Sequence, residues 1–224
     1  MTSGGGDTIG QHTGPGPVTV VAAFDFDGTL STRDNFVPFL AHFAGGSTFV
    51  REMASAALQV AGAGRANWRR DELKAAALAH IMTGRRVDDF EATARRFARE
   101  ILRDHLRAEA VEQAQWHRDH GHHLVIVSAS LAVYLRPVAE ELGFDAVLAT
   151  EMEAGADGRL TGRILGHNVR GEEKVRRLDT HLAESGYGDD AYVFAYGDSS
   201  GDRQLWARAD RAVRMGRRAH LGPG

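Results

Sequence analysis

Two short acidic segments each follow an apolar, strand-like run: Phe24-Asp25-Phe26-Asp27-Gly28-Thr29-Leu30 after Val18 to Phe24, and Tyr196-Gly197-Asp198-Ser199-Ser200-Gly201-Asp202 after Ala191 to Tyr196. If both runs are strands of one parallel sheet, their acidic ends meet at its C-terminal edge, where open α/β sheets bind ligands. Four carboxylates crowded there repel one another unless a hard cation sits among them. Mg²⁺, with its preference for oxygen, suits such a site.

Two further segments supply what that chemistry needs. His123-Leu124-Val125-Ile126-Val127-Ser128-Ala129-Ser130 reads as a buried strand ending in hydroxyl residues, and a hydroxyl there can donate to a phosphoryl oxygen. Downstream, Gly171-Glu172-Glu173-Lys174-Val175 opens a helical pattern with Val175, Leu178 and Leu182 on one face. Lys174 falls in the first turn, where the helix dipole disfavours a cation. The chain has two lysines against 25 arginines, so a lysine in that place is not surface filler.

The first acidic segment resembles the nucleophile motif of the haloacid dehalogenase (HAD) superfamily, and the four segments match that family's motifs in order from Asp25 to Asp202. The resemblance implies that Asp25 is the nucleophile, attacking phosphorus in line to form an aspartyl phosphate, and a ligand of Mg²⁺. Asp27 is implied to protonate the leaving alkoxide, then to activate water as a base, and to ligate the metal through its backbone carbonyl. Ser128 and Lys174 would hold the transferring group, with Ala129 beside them in the substrate-binding loop. Asp198 would ligate the metal directly and Asp202 would orient it from behind. Gly28 allows a sharp turn whose backbone N–H groups can face phosphoryl oxygens. Haloalkanoate dehalogenases lack an acid at the position of Asp27, so the resemblance favours phosphate over halide chemistry.

The motif spelling is nearest to the phosphoserine phosphatase-like hydrolases of HAD subfamily I. It departs from them in reading Asp27-Gly28-Thr29 where Asp-Ser-Thr is common, and in having Gly201 where asparagine is common. In phosphoserine phosphatases an acidic residue nine positions after the nucleophile binds the substrate amine, and Asp34 stands nine positions after Asp25. Ser31-Thr32-Arg33-Asp34 also matches a capping box, so a substrate contact and a structural carboxylate are both open for Asp34.

Between Leu30 and about His123 no strand pattern appears. Phe36, Phe39, Leu40 and Phe43 sit at helical spacing, as do Phe90, Phe97, Ile101 and Leu102 after an expected cap at Asp88. This insertion resembles the helical cap of subfamily I. The expected organisation is a disordered arm over 1–17, an α/β core over 18–33 and 107–216, a helical cap over 34–106 and a flexible tail over 217–224. Within the core the pattern predicts helices at Glu109 to His120 and Leu131 to Leu142, and strands at Ala146 to Thr150 and Ala212 to Met215. A hairpin over Glu151 to Leu165 is expected to turn at Asp157-Gly158. The alternation argues for a doubly wound parallel sheet covered by helices on both faces.

Other residues read more plainly. Ser130 is expected to cap the helix beginning at Leu131, with no part in catalysis. His117, His120, His122 and His123 straddle a helix end and a strand start, a spacing that argues against a metal cluster. Trp68 with Arg65, Arg69 and Arg70 reads as part of a solvated helix more readily than as a substrate tunnel.

At 224 residues with a formal net charge of −3 and no long basic block, the chain has room for a full core and lacks a nucleic-acid footprint. With no cysteine, disulfides, thiolate metal sites and cysteine nucleophiles are excluded, and a cytoplasmic setting is compatible. The uncharged stretch Asn35 to Val50 contains Pro38, Gly45 and Gly46 and falls short of a spanning helix, so no membrane segment is expected. The reading is an Mg²⁺-dependent phosphatase acting on a small-molecule phosphate ester, with an amine-bearing ester such as phosphoserine as one candidate and oligomeric state left open. A phosphomutase would keep every motif residue, and a non-catalytic module would keep the fold without needing both Asp25 and Asp27.

Overall fold

A computed structural model of the chain describes residues 19–62, 70–188 and 190–216. The expected arm and tail, the cluster of Trp68, Arg65 and Arg69, and the side chain of Arg70 lie outside the described residues.

Strand β1 (Val20–Phe24) is the centre of the molecule, and its period of two divides the core. Val21 and Ala23 join one buried cluster with Val125, Val127, Val193 and Ala195, while Ala22 and Phe24 join another with Leu124 and Ile126. Helices close both faces. Leu178 and Leu182 of α7 (Glu172–Glu184) and Leu205 of α8 (Arg203–Arg208) cover the first. Ala110 and Ala114 of α5 (Ala108–Asp119) and Leu135 and Val138 of α6 (Ala132–Leu142) join the second.

The sheet has five strands in the order β3-β2-β1-β6-β7, all parallel: β2 is His123–Leu131, β3 Ala146–Thr150, β6 Tyr192–Gly197 and β7 Arg211–Arg214. The chain moves from β1 to β2 and β3 on one side, then crosses back to β6 on the other. The strand order therefore reverses between β1 and β6, which opens a crevice at their C-terminal ends. Pairing of Phe24 with Tyr196 fixes the register there, and their rings stack 4.1 Å apart. This is the doubly wound α/β class.

Four helices fill the insertion: α1 (Phe36–Ala44), α2 (Gly46–Gly62), α3 (Arg70–Met82) and α4 (Val87–Asp104). Two antiparallel connectors tie them to the core, through Thr32 N–H to the His105 carbonyl at 2.9 Å and Arg107 N–H to the Leu30 carbonyl at 2.8 Å. Phe39 of α1 packs its ring 5.7 Å from Phe90, 5.4 Å from Phe97 and 4.9 Å from Tyr134 of α6. The hairpin of β4 (Met152–Ala154) and β5 (Leu160–Ile164) forms a separate two-stranded sheet that docks on α3. Gly162 makes that docking possible, because a Cβ there would lie 2.2 Å from Thr83 Oγ1 and 3.0 Å from Ala79 Cα.

Several local expectations are corrected. Asp88 lies in the first turn of α4, whose N-cap is Arg86, so it is not the cap. Leu131 ends β2 and is the N-cap of α6, so Ser130 is not a helix cap. The last strand, expected near Ala212 to Met215, is present and runs Arg211–Arg214. Among the described residues no helix is long and apolar enough to cross a membrane.

Candidate active site

The ends of β1, β2 and β6, the start of α7 and the insertion enclose a cavity of about 520 Å³. Asp25, Asp27, Gly28, Asp34, Ser128, Ala129, Lys174, Asp198 and Asp202, all the residues singled out from sequence, lie on its wall.

Asp25 extends β1 by one residue, and its N–H donates to the Tyr196 carbonyl at 2.8 Å. Lys174, buried in the first turn of α7, places Nζ 2.6 Å from Asp25 Oδ1 and 2.6 Å from Asp202 Oδ1. Burial works against the charge on Lys174, yet Asp25 and Asp202 outweigh it and hold the pKa above the ordinary lysine value. The two carboxylates compensate what the helix dipole disfavours. Asp25 itself is pushed up to about 7, mainly by burial, with Lys174 opposing and Asp202 reinforcing. Asp198 is also raised, first by burial and then by Asp202. The cluster is short of positive charge.

Carboxylate oxygens of Asp25, Asp198 and Asp202 lie within 4.8 Å of one another. An all-oxygen, anionic donor set fits Mg²⁺, whose charge would offset the burial and the neighbouring carboxylates that raise Asp25 and Asp198. Asp202 thus sits closer to the cluster than the sequence implied. It is fully buried, and Ser199 caps it with N–H at 3.1 Å and Oγ at 3.2 Å to Oδ2. Asp27 contributes no carboxylate to this trio.

Gly28 makes the turn with φ +78°, and a Cβ there would stand 2.2 Å from Asp198 Oδ2. Arg107 braces the turn from behind by donating to the carbonyls of Thr29 at 3.1 Å and Gly28 at 3.0 Å.

Asp27 is bound at both oxygens. Oδ1 accepts the Asn35 N–H at 3.0 Å and Asn35 Nδ2 at 2.8 Å, and Oδ2 accepts the Ser130 hydroxyl. Burial raises its pKa to about 6 against these hydrogen bonds. Ser130 is therefore part of the site, contrary to the expectation for it. Ser128 Oγ in turn accepts the Ser130 N–H at 3.2 Å.

Of the two readings left open for Asp34, the capping box does not form: Ser31 Oγ bonds Arg33 and Asn35, while Asp34 Oδ1 accepts the Phe36 N–H at 2.9 Å. Asp34 is exposed on the cavity wall, so it both accepts from the first residue of α1 and faces the space.

The sequence reading also missed Lys74. This residue of α3 donates from Nζ to the Ala129 carbonyl and, at 2.5 Å, to Asn168 Oδ1. Asp71 of the same helix accepts Asn168 Nδ2 at 2.7 Å, so α3 is tied to the core at two points. Burial pushes the Lys74 pKa down to about 8. Lysine scarcity was the available signal, since it marked both lysines equally.

The histidines stay outside the site. His117 is fully buried, with its ring nitrogens 2.7 Å from His122 Nδ1 and 2.8 Å from the Tyr196 hydroxyl.

A doubly wound sheet with a carboxylate just past the end of its central strand, a buried lysine and two further carboxylates just past the end of the neighbouring strand is the arrangement of a hydrolase of the α/β class with an acidic site. The chain belongs to the haloacid dehalogenase-like hydrolase family, whose pattern matches residues 22–207. It is 36% identical over 192 residues to protein CicA of Caulobacter vibrioides, covering 85% of this chain and 83% of that one. A histidinol-phosphatase of Neisseria meningitidis is 29% identical over 129 residues, 57% of this chain and 58% of its own length. The fold resembles a substrate-bound phosphoserine phosphatase structure with a TM-score of 0.60 at 20% identity, covering 88% of this chain and 85% of that one.

Proposed function

We propose that the protein is a phosphomonoesterase that hydrolyses a small phosphate ester through an aspartyl phosphate on Asp25, with Mg²⁺ as its cofactor. The observation that carries this is the pairing of Asp25 with buried Lys174 at 2.6 Å, at the end of the central strand. The phosphatases among its relatives support the class of reaction.

In this reading Asp25 attacks phosphorus in line, while Lys174 and the hydroxyl of Ser128 neutralise and hold the phosphoryl oxygens. Lys174 also fixes the nucleophile's orientation. Asp27 gives its proton to the departing ester oxygen and afterwards draws one from the attacking water. Backbone N–H groups of the Gly28 turn and of Ala129 contribute donors to the same oxygens. Asp25, Asp198 and Asp202 would hold Mg²⁺, with the Asp27 carbonyl as a further oxygen donor. When bound, the metal supplies the positive charge that lets an anion approach a phosphate monoester. The insertion closes the cavity above this centre and selects the leaving group, with Asp34 available to a cationic substrate group. A cytoplasmic location belongs to this reading, compatible with the absence of cysteine.

The test is phosphate release from a panel of phosphorylated metabolites with Mg²⁺, after EDTA treatment and on re-addition of metal. Release that EDTA abolishes and Mg²⁺ restores is expected. Isomerised phosphate esters without free phosphate would indicate a mutase, and no turnover of any ester would leave a binding module.

A further inference from the structure

The general acid proposed above is held by residues from two distant parts of the chain. Asn35 begins the helical insertion, and Ser130, 103 residues beyond Asp27, stands near the end of β2. Both donors are themselves fixed. Asn35 is fully buried, with Nδ2 also 2.7 Å from Ser31 Oγ and 3.0 Å from the Arg33 carbonyl, and Ser130 is 1% exposed with its N–H on Ser128 Oγ.

A carboxyl group that must protonate one particular atom has to present one oxygen to it, and a carboxyl free to turn about its terminal bond presents either. At Asp27 the two oxygens are not equivalent. Oδ1 accepts two N–H donors, from groups that carry no acceptor to offer a proton on that oxygen. Oδ2 is met by a hydroxyl, which donates to a carboxylate and accepts from a carboxylic acid with a rotation of its own O–H.

We infer that Asn35 and Ser130 are positioning residues that make Asp27 deliver its proton from Oδ2, an inference that rests on the phosphatase function proposed above. In the first step an Asp25 oxygen bonds to phosphorus and the bond from phosphorus to the ester oxygen breaks. The electron pair stays on the ester oxygen, which takes the Oδ2 proton, and a neutral alcohol leaves with Asp27 as carboxylate. Ser130 then turns its hydroxyl back to donate to Oδ2. Because Asn35 is also the residue before α1, the acid is set in line only when the insertion is seated on the core.

The test compares kcat/KM for phenyl phosphate and 4-nitrophenyl phosphate in the Mg²⁺-loaded enzyme. The two esters have nearly the same shape, but phenolate needs a proton to leave and nitrophenolate hardly does. Asp27→Asn is the reference and should depress phenyl phosphate far more than the nitro ester. Ser130→Ala should show the same bias, about tenfold beyond any common loss, since general acid catalysis as a whole is worth roughly a hundredfold or more. Ser130→Thr, which keeps the hydroxyl, should restore the ratio, and Asn35→Ala should bias it in the same direction should Ser130→Ala not fold. A purely structural role would lower both esters alike. Equal losses in Ser130→Ala and Asn35→Ala, with Asp27→Asn biased, would overturn this inference alone. Equal losses in Asp27→Asn would instead overturn the acid assignment beneath it.

Discussion

Gly28 shows how far a single residue is constrained at this site. Its φ of +78° disfavours any side chain, and a Cβ would sit 2.2 Å from Asp198 Oδ2. Gly28→Ala should cost about 1–2 kcal/mol in stability and, because Asp198 must move, should lower kcat roughly a hundredfold or more, read by thermal melting and steady-state kinetics. Asp25 gives a second prediction at this scale. Its pKa in the folded protein is raised to about 7 from 3.8, so the folded state holds the proton more tightly than the unfolded one. In chelator, the contribution of Asp25 to stability is then largest at acid pH and is lost as pH rises from about 4 to about 7. Asp25→Asn mimics the protonated form and should be more stable than wild type at pH 8, with the gain vanishing near pH 4 in paired melting curves. Asp25, Asp27, Lys174 and Asp198 were legible because each follows an apolar run or opens a helix pattern. Ser130 and Asn35 were not, because a serine before a helix and an asparagine after an acidic loop read as ordinary local chemistry. Their partner is Asp27, and nothing local marks a contact between Ser130 and a residue 103 positions away.

At the scale of elements, β1, β2 and β6 were readable from apolar runs that are largely buried on both faces, and β3 falls at Ala146–Thr150 as its pattern predicts. Helix starts were less readable. Asp88 and Ser130 are both good cap residues, but α4 starts at Val87 and β2 continues through Leu131. Side-chain preference could not locate boundaries that packing sets. Helix α3 is the clearest case of an element whose role only tertiary structure reveals. Leu78, Ile81 and Met82 anchor it in the core cluster, while Asp71 and Lys74 reach Asn168 and the Ala129 carbonyl across the cavity. Lys74→Met removes two of those ties without emptying the core. It should raise KM about tenfold with a smaller change in kcat, and should shift the melting temperature by only a few degrees, since it releases the roof and not the reacting groups. A large fall in kcat at unchanged KM would assign Lys74 to the reaction itself.

Across the whole molecule, the strand order β3-β2-β1-β6-β7 brings residues from both ends of the chain to one crevice, and that convergence was the feature most visible in the sequence. The order itself and the docking of the β4–β5 hairpin on α3 were not, because they depend on which surfaces meet. The three clustered carboxylates predict that Mg²⁺ stabilises the folded protein. At a hundredfold excess over its dissociation constant the metal should add about 2.7 kcal/mol, and this gain should disappear in Asp198→Ala. Thermal melting with and without metal reads it independently of turnover. The covalent step on Asp25 is accessible to a rapid acid quench of enzyme mixed with its best ester substrate, followed by mass spectrometry of the digested protein. The peptide carrying Asp25 should gain the mass of one phosphoryl group within a turnover, and the same peptide of Asp25→Asn should gain none. Turnover with no phosphorylated peptide at any quench time, or phosphate on another residue, would contradict the assignment of Asp25 as the nucleophile.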